Sequence, residues 1–296
     1  MVSALLRPPS VPSRRLVELP PVGQLPEGRM VDLPGRGSTF VVEAGNPEGA
    51  PLILLHALGC TGLLTWYPAL EALGARHRLV IFDQRWHGRG IRSPRFRLED
   101  CADDVPAVAD ALGIGRFTAV GYSMGSLVAQ LTWRAHRDRV EGLVLGAATA
   151  SFRRAPRERV ALDAIARSVS TVRPNPGMLR LADVPYRTDN QWAIGQFRQT
   201  SPGAISTAVA EVGKFDSSAW VGEVDVPTAV IVPSRDKVIP PRRQRWLARQ
   251  IPGAATYEID GGHASCVMKA DQFIPALQAA CASVLSRTDQ NRHGRR

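Results

Sequence analysis

The sequence predicts an α/β fold with a mostly parallel sheet of eight strands and helices on both faces of that sheet. Short segments that are apolar throughout alternate along the chain with segments of helical length. Strands without a polar face are typical of a parallel sheet that helices cover on both sides. The alternation stops near Thr149 and resumes at Thr228, which predicts a long insertion between two strands.

The chain enters this pattern through a predicted edge hairpin, in which Arg29–Leu33 and Ser38–Glu43 are joined across Pro34-Gly35-Arg36-Gly37. Six further strands are predicted at Leu52–Leu55, Leu79–Phe82, Phe117–Val120, Gly142–Leu145, Thr228–Val232 and Thr256–Ile259. The helices between and after them are predicted at Trp66–Leu73, Leu98–Leu112, Leu127–Arg134, Arg242–Gln250 and Ser265–Leu285. Together, 28–148 and 225–286 are expected to form the core.

The insertion, 149–224, is expected to form a helical lid. A connection of this length normally carries structure of its own, and helix-like stretches occur at Arg159–Val169 and Ile205–Val212. Ligands of open α/β sheets bind at the carboxyl ends of the strands, so the lid is expected there. The proline-rich segment 1–27 is expected to be either disordered or draped over the fold, and the basic tail 287–296 is expected to be disordered.

Composition indicates a globular protein, since apolar residues make up 44% and charged residues 22% of the chain. No apolar run reaches the roughly 20 residues that span a bilayer. The N-terminus lacks the apolar stretch of a secretory signal, so a cytoplasmic location is expected. The cysteines are scattered without a CxxC pair and are interpreted as free thiols: Cys60, Cys101, Cys266 and Cys281.

The net charge of +10 is concentrated in part at the termini, with +2 in residues 1–19 and +3 in residues 287–296. A further basic cluster, 153–159, opens the insertion. No aromatic residues interleave with these arginines to stack on bases, which favours a solvated basic face over a nucleic-acid groove. A nucleic-acid role for the tails remains a minor alternative.

The strongest chemical signal is Gly121-Tyr122-Ser123-Met124-Gly125, between a predicted strand and a predicted helix. This arrangement is the nucleophile elbow, in which a serine sits on a strained turn and glycines allow close approach of neighbouring backbone. The N-terminus of the following helix faces the same site, which places the Met124 N–H to bind an oxyanion. The alternative is an ordinary turn serine.

A serine nucleophile needs a base and an acid that orients the base. His263 lies on a glycine-rich loop after the last strand, and Asp236 follows the strand before it, both at carboxyl ends. The order Ser, Asp, His is that of this type of site. The rejected histidines are His77, His136 and His293, and the rejected acids are Glu258 and Asp260.

These features resemble the α/β-hydrolase superfamily, in the branch that contains esterases, lactonases, thioesterases, C–C bond hydrolases and cofactor-free perhydrolases. The resemblance runs from about Arg29 to Leu285 and includes His56-Ala57-Leu58-Gly59 and Asp83-Gln84-Arg85-Trp86-His87-Gly88-Arg89-Gly90. It implies the α/β-hydrolase fold with a helical lid after the sixth strand.

In that family the first segment usually reads His-Gly-x-Gly, and residue x gives the second oxyanion N–H, which is Leu58 here. The second segment usually reads Asp-x-Arg-Gly-His-Gly-x-Ser. The chain departs from these patterns at Ala57, Trp86 and Gly90. Four polar residues of the two segments are interpreted as loop scaffolding rather than direct catalysts: His56, Asp83, Arg85 and His87.

The predicted activity is hydrolysis of a carboxylic ester, lactone or thioester through an acyl-enzyme on Ser123. Trp192 and Phe197 of the insertion are expected either to line an apolar substrate pocket or to attach the insertion to the body. No metal and no cofactor is expected, and the partner is a small-molecule acyl substrate. C–C bond hydrolysis and perhydrolysis are alternatives that would use the same three catalytic residues. A further alternative is a ligand-binding protein without turnover. The sequence leaves the oligomeric state open.

Overall fold

The computed structural model of the chain describes residues 19–152 and 188–293, with the side chains of 291–293 excepted. Its sheet has eight strands in the order β1-β2-β4-β3-β5-β6-β7-β8. The strands are β1 (Gly28–Leu33), β2 (Gly37–Gly45), β3 (Pro51–Leu55), β4 (Arg78–Phe82), β5 (Phe117–Tyr122), β6 (Val140–Gly146), β7 (Thr228–Pro233) and β8 (Ala255–Ile259). The first two pair antiparallel to their neighbours and the rest pair parallel, as predicted.

Helices of the described chain pack on both sides of this sheet. They are α1 (Gly62–Trp66), α2 (Leu70–Gly74), α3 (Leu98–Ala111), α4 (Met124–Ala135), α5 (Asp189–Arg198), α6 (Pro202–Val212), α7 (Pro241–Gln250), α8 (Ser265–Met268) and α9 (Ala270–His293). The predicted helix over Trp66–Leu73 is instead divided by a 3₁₀ turn at Tyr67–Ala69. Pro68 lies within that turn and its missing N–H suits a helix start rather than an interior.

The core consists of two hydrophobic clusters, one on each face of the sheet. Ile53 and Leu55 belong to the first cluster, whereas Leu52 and Leu54 belong to the second. Successive side chains of a strand point to opposite faces, so this division follows directly from the apolar run of β3. Helices α3, α4 and α7 contribute to the first cluster, and α1, α2 and α9 to the second.

The parallel strands end at a common edge because their carboxyl ends point the same way. Strands β3, β5, β6, β7 and β8 are consecutive neighbours in the sheet. The loops after β3, β5, β7 and β8 carry Leu58, Ser123, Asp236 and His263 in turn. The fold therefore gathers residues that are far apart in sequence at one edge.

The insertion between β6 and β7 contributes α5 and α6, and an isolated bridge pairs Ser151 with Asp216. Two hydrogen bonds fix α5 and its C-terminal end to the body: Thr61 Oγ1 donates to Gln196 Oε1 at 2.8 Å, and Gly88 N donates to Thr200 Oγ1 at 3.1 Å. The basic cluster 153–159 and the helix predicted at Arg159–Val169 lie outside the described residues.

Both chain ends differ from the prediction of disorder. In the stretch 19–27, Val22 and Leu25 pack against the second cluster, and Tyr67 Oη donates to the carbonyl of Pro20 at 3.1 Å. Of the two alternatives for this segment, 19–27 therefore follow the one in which the chain lies over the fold, while 1–18 lie outside the described residues.

At the other end, α9 continues to His293, so the predicted tail is wrong from 287 to 293. Arg287 donates to the carbonyls of Gly253 and Thr228, at 2.7 and 2.9 Å. Thr288 is buried and donates to the carbonyl of Glu141. The acceptors of these bonds come from distant parts of the chain, which local composition does not reveal. Residues 294–296 lie outside the description.

All four cysteines are free thiols, as predicted. Among the described helices, none combines the length and the apolar character that a bilayer span needs.

Candidate active site

Ser123 occupies a strained turn between β5 and α4. Its backbone has φ 54° and ψ −117°, a conformation that side-chain-bearing residues rarely adopt. The Ser123 N–H donates to the carbonyl of Gly146 at 2.9 Å, which ties the turn to the neighbouring strand. The strained turn holds the hydroxyl at the carboxyl edge of the sheet.

The two glycines of the elbow are required by close backbone contacts. A Cβ on Gly121 would lie 2.3 Å from the carbonyl oxygen of Gly125, and a Cβ on Gly125 would lie 2.1 Å from that of Leu55. Both distances are far inside van der Waals contact, and the obstructing atoms are backbone. The sequence interpretation of this segment is thus supported by its backbone geometry.

The three residues that the sequence singled out meet in a chain of hydrogen bonds. Ser123 Oγ lies 2.8 Å from His263 Nε2, and His263 Nδ1 lies 2.8 Å from Asp236 Oδ2. Since an ionised carboxylate only accepts, Nδ1 carries the proton and Nε2 of the neutral ring is free to accept from the serine hydroxyl. This is the arrangement that activates a serine nucleophile.

Asp236 is buried and its carboxylate is saturated with donors. The N–H groups of Val238 and Ile239 donate to Oδ1 at 2.8 and 2.9 Å. Gln244 Nε2 donates to Oδ2 at 3.1 Å. Together with His263, these bonds fix the orientation of the carboxylate, whose side chain is fully buried.

The loop that carries His263 is held by Tyr122, the residue directly before the nucleophile. Tyr122 Oη donates to the carbonyl of His263 at 2.8 Å. Burial raises the pKa of Tyr122, so the phenol stays protonated and keeps its donor. Arg235 N donates to the carbonyl of Gly261 at 2.9 Å and joins the loops after β7 and β8.

The rejected candidates lie in ordinary ion pairs or away from this chain of bonds. His136 Nε2 is 2.9 Å from Asp103 Oδ1, and Glu258 pairs with Arg245. Asp260 pairs with Arg235 on the surface. His77 precedes β4 at the opposite end of that strand, and the side chain of His293 lies outside the description.

The two residues predicted to bind the oxyanion come from α4 and from the loop after β3. Met124 is the first residue of α4, where the N–H has no acceptor within the helix. Leu58 lies in the loop after β3, and both residues line the same cavity as Ser123. Ala57, the departure from the family pattern, is accommodated: its N–H donates to Thr65 Oγ1 at 3.2 Å.

His56 supports the Leu58 loop and is a neutral buried ring. Its Nδ1 donates to the carbonyl of Ala57 and its Nε2 accepts from the N–H of Gln84, both at 2.8 Å. Burial lowers the pKa of His56 to about 4. It lies against the ring of His87, whose pKa burial and the neighbouring His56 lower to about 3.

Asp83 and Arg85 anchor the second family segment. Asp83 accepts from the N–H groups of Gly62 and Arg89, each at 2.8 Å, and burial raises its pKa. Arg85 forms a bidentate ion pair with Asp104, in which Nη2 donates to Oδ1 at 2.8 Å and Nε donates to Oδ2 at 2.9 Å. These contacts support the interpretation of His56, Asp83, Arg85 and His87 as loop scaffolding.

The departure at Trp86 carries a backbone cost. Trp86 has φ 66°, a conformation that favours the glycine usual there, yet the side chain is retained and Nε1 donates to the carbonyl of Ser93 at 3.0 Å. Gly90, the other departure, has no room for a Cβ, which would lie 2.3 Å from the carbonyl oxygen of Gln84.

Trp192 and Phe197 do not line the cavity around Ser123. Trp192 is buried against Tyr67 with ring centroids 5.0 Å apart, so it attaches the insertion to the body. Phe197 is half exposed, and its ring lies over Gly59 beside the Leu58 loop. Of the two roles expected for these residues, attachment is the one that the contacts support. A contact of either residue with substrate stays a prediction.

The cavity beside Ser123 and His263 has a volume of about 260 Å³. Apart from those two residues, the described side chains that line it are almost all apolar. They come from the body and from α6 of the insertion, and include Leu58, Leu64, Leu127, Phe152, Val212 and Val267.

Two residues with clear contacts in the site were missed by sequence reasoning, Gln244 and Gln196. Gln244 is fully buried on the same face of α7 as Leu247 and Ala248. A polar residue on an apolar helical stripe was the available signal for it. Gln196 had no comparable signal, because its partner Thr61 is 135 residues away.

Fold and site together define a hydrolase with the α/β-hydrolase fold. Residues 50–174 match a family model described as alpha/beta hydrolase fold. Among characterised proteins it is 27% identical to a poly(3-hydroxyalkanoate) depolymerase of Ectopseudomonas oleovorans, over 84% of this chain and 90% of that protein. It is 28% identical to a pimeloyl-[acyl-carrier protein] methyl ester esterase of Chromobacterium violaceum, over 78% and 93%.

The fold is shared with an enol-lactonase of Burkholderia xenovorans LB400. The two structures superpose with a TM-score of 0.70 at 24% identity, over 87% of this chain and all of the other. The match extends beyond the family-model region to both halves of the core.

Proposed function

We propose that this chain hydrolyses carboxylic esters, lactones or thioesters through an acyl-enzyme on Ser123. The observation that carries the proposal is the continuous hydrogen-bond chain from Ser123 Oγ through His263 to Asp236. The names of the relatives, a methyl ester esterase, a polyester depolymerase and an enol-lactonase, agree with acyl transfer to water.

In the proposed reaction, Ser123 Oγ attacks the acyl carbonyl carbon while its proton passes to His263 Nε2. Asp236 holds the ring in the required tautomer and stabilises the imidazolium. The N–H groups of Leu58 and Met124 bind the oxyanion. Collapse of the intermediate breaks the bond to the leaving group, which takes the proton from His263.

Water then repeats the sequence on the acyl-enzyme. His263 accepts a proton from the water as it attacks the acyl carbonyl, and returns that proton to Ser123 Oγ as the carboxylic acid leaves. The helices α5 and α6 cover the carboxyl edge in this proposal and serve as the lid of the site, because α6 contributes Val209 and Val212 to the cavity wall.

Labelling with a fluorophosphonate probe tests the nucleophile. Wild type should be labelled and should hydrolyse p-nitrophenyl esters, and Ser123→Ala should lose both properties. Ser286→Ala, an exposed serine of α9, is the matched control and should behave as wild type. A wild-type protein that is neither labelled nor active, or a Ser123→Ala variant that still turns over esters, would overturn the proposal.

A further inference from the structure

The wall of the cavity beside Ser123 defines the kind of acyl group that it can hold. Among the described residues that line it, His263 is the only one with an ionisable basic or acidic side chain other than thiols and a phenol. The remaining wall is built by side chains from both hydrophobic clusters, with Leu127, Phe152 and Val212 from the first and Leu64, Cys266 and Val267 from the second.

The few polar groups in this wall are already engaged or neutral. Thr65 Oγ1 accepts from Ala57 N, and Tyr122 Oη donates to the carbonyl of His263. Burial raises the pKa of Cys60 to about 11 and also raises that of Cys266, so both thiols stay uncharged. Away from the catalytic centre, the described wall therefore offers a substrate no charged group.

From this wall we infer that the site, if it performs the proposed hydrolysis, is selective for uncharged aliphatic acyl groups of about six to eight carbons. The length follows from the volume of about 260 Å³, since a cavity of roughly 150 Å³ holds the six carbons of benzene and the reacting ester group takes part of the space here. A second carboxylate at the far end of the acyl chain is disfavoured, because the described wall offers it no cation and burying an unpaired carboxylate is strongly unfavourable.

Each methylene that enters the cavity raises kcat/KM about fourfold, until the chain fills the cavity. A carboxylate in place of the terminal methyl lowers kcat/KM by roughly 100-fold or more. The net charge of +10 attracts anions to the protein as a whole. The selectivity against a terminal carboxylate therefore comes from the cavity wall and not from the charge of the protein.

The test compares p-nitrophenyl esters from acetate to dodecanoate, and then octanoate with the p-nitrophenyl monoester of suberate, which has the same number of carbons. We expect an optimum between hexanoate and octanoate, and little turnover of the suberate ester. Activity that is independent of chain length, or equal turnover of the two eight-carbon esters, would overturn the inference while leaving the proposed function intact. Absence of turnover and of fluorophosphonate labelling would instead remove the proposed function.

Two variants assign the selectivity to this wall. Val212→Trp fills part of the cavity and should move the optimum to shorter chains, whereas Ile194→Trp adds the same bulk to an exposed site on α5 and should not.

Val238 lines the cavity yet is 40% exposed, so a lysine there can keep its ammonium partly in water.

Val238→Lys should raise the suberate-to-octanoate ratio of kcat/KM about tenfold, and the neutral Val238→Met of similar length should not. This second variant keeps the test decisive if Val212→Trp does not fold. A suberate-to-octanoate ratio that is the same in Val238→Lys and Val238→Met would contradict the assignment of the wall.

Discussion

Gln244 Nε2 donates to Oδ2 of Asp236 at 3.1 Å, and Oδ2 is also the oxygen that lies 2.8 Å from His263 Nδ1. Gln244 is fully buried, and its amide also donates to the carbonyl of Ile239 at 2.7 Å. Both hydrogens of the Gln244 Nε2 group are thereby engaged, one by the loop after β7 and one by the carboxylate. Gln244 acts as a positioning residue, since it holds the acid that in turn orients the histidine.

Replacing Gln244 with leucine should lower kcat about tenfold and leave KM nearly unchanged. The variant loses one hydrogen bond to a charged group, an interaction typically worth about 1.5–3 kcal/mol, while two backbone N–H groups still hold the carboxylate. Steady-state kinetics on an octanoate ester measures the effect. Gln250→Leu, the same change at an exposed site of α7, is the control and should be silent.

A double-mutant cycle separates positioning from general stability. In an Asp236→Asn background, Gln244→Leu should cause little further loss of kcat, because the carboxylate on which the glutamine acts is gone. Losses of kcat that multiply independently in the double variant would show that Gln244 supports only the fold.

The elbow glycine Gly125 should not tolerate a methyl group. Gly125→Ala places a Cβ 2.1 Å from the carbonyl oxygen of Leu55 in β3, so strand and helix must move apart. We expect a loss of several kcal/mol in the free energy of unfolding, since overpacking alone costs about 1–3 kcal/mol and here the obstruction is backbone. Urea denaturation measures the loss.

Gly203 in α6 is the matched control for this substitution. A Cβ there meets no atom within 4 Å, and alanine is favoured over glycine in a helix by about 0.5–1 kcal/mol. Gly203→Ala should therefore leave stability unchanged or raise it slightly. A Gly125→Ala protein as stable as Gly203→Ala would mean that the backbone contact of the elbow is not tight.

Much of the fold could be predicted from sequence because it depends on local signals. The apolar runs of β3 to β7 are buried on both faces, and such runs mark interior parallel strands without knowledge of their neighbours. Ser123, Asp236 and His263 could be predicted from the sequence for the same reason. Each directly follows or closely follows a strand, and strand ends gather at one edge whatever the lid does.

The contacts that the sequence did not predict join parts of the chain that are distant in sequence. Trp192 meets Tyr67 rather than the cavity, and Arg287 finds its carbonyl acceptors at Thr228 and Gly253. Neither partner can be read from the neighbouring residues. The cavity wall could not be predicted either. Val212 of the insertion and Leu64 of the body line the same cavity although they are far apart in sequence.

The bond between Thr61 and Gln196 should couple the insertion to the loop before α1. Thr61 Oγ1 donates to Gln196 Oε1 at 2.8 Å and accepts from Leu64 N at 3.1 Å as the N-cap of α1. Thr61→Val loses both bonds and should lower the free energy of unfolding by about 2–3 kcal/mol, whereas Thr61→Ser should retain most of it.

Combining Thr61→Val with Gln196→Ala measures the coupling itself. Because the two side chains share one buried bond, their separate losses should exceed the loss in the double variant by about 1 kcal/mol. Strict additivity in urea denaturation would indicate that the bond contributes nothing to docking of α5.

The buried pair His56 and His87 should make the protein lose stability as the pH falls below about 6.5. Both rings have an ordinary pKa of 6.5 when unfolded, and burial lowers it to about 4 and about 3 in the native state. Between these values the unfolded chain binds protons that the native chain does not, so unfolding is favoured as the pH falls. Each ring should contribute up to about 1.4 kcal/mol per pH unit. Protonated His56 also cannot accept from Gln84 N.

The free energy of unfolding in urea, measured as a function of pH, tests this for wild type and His87→Gln. The slopes of the two proteins against pH should differ by about that amount near pH 5 and should be equal above pH 7. Parallel slopes over the whole range would mean that His87 is protonated in the native state or titrates freely in it.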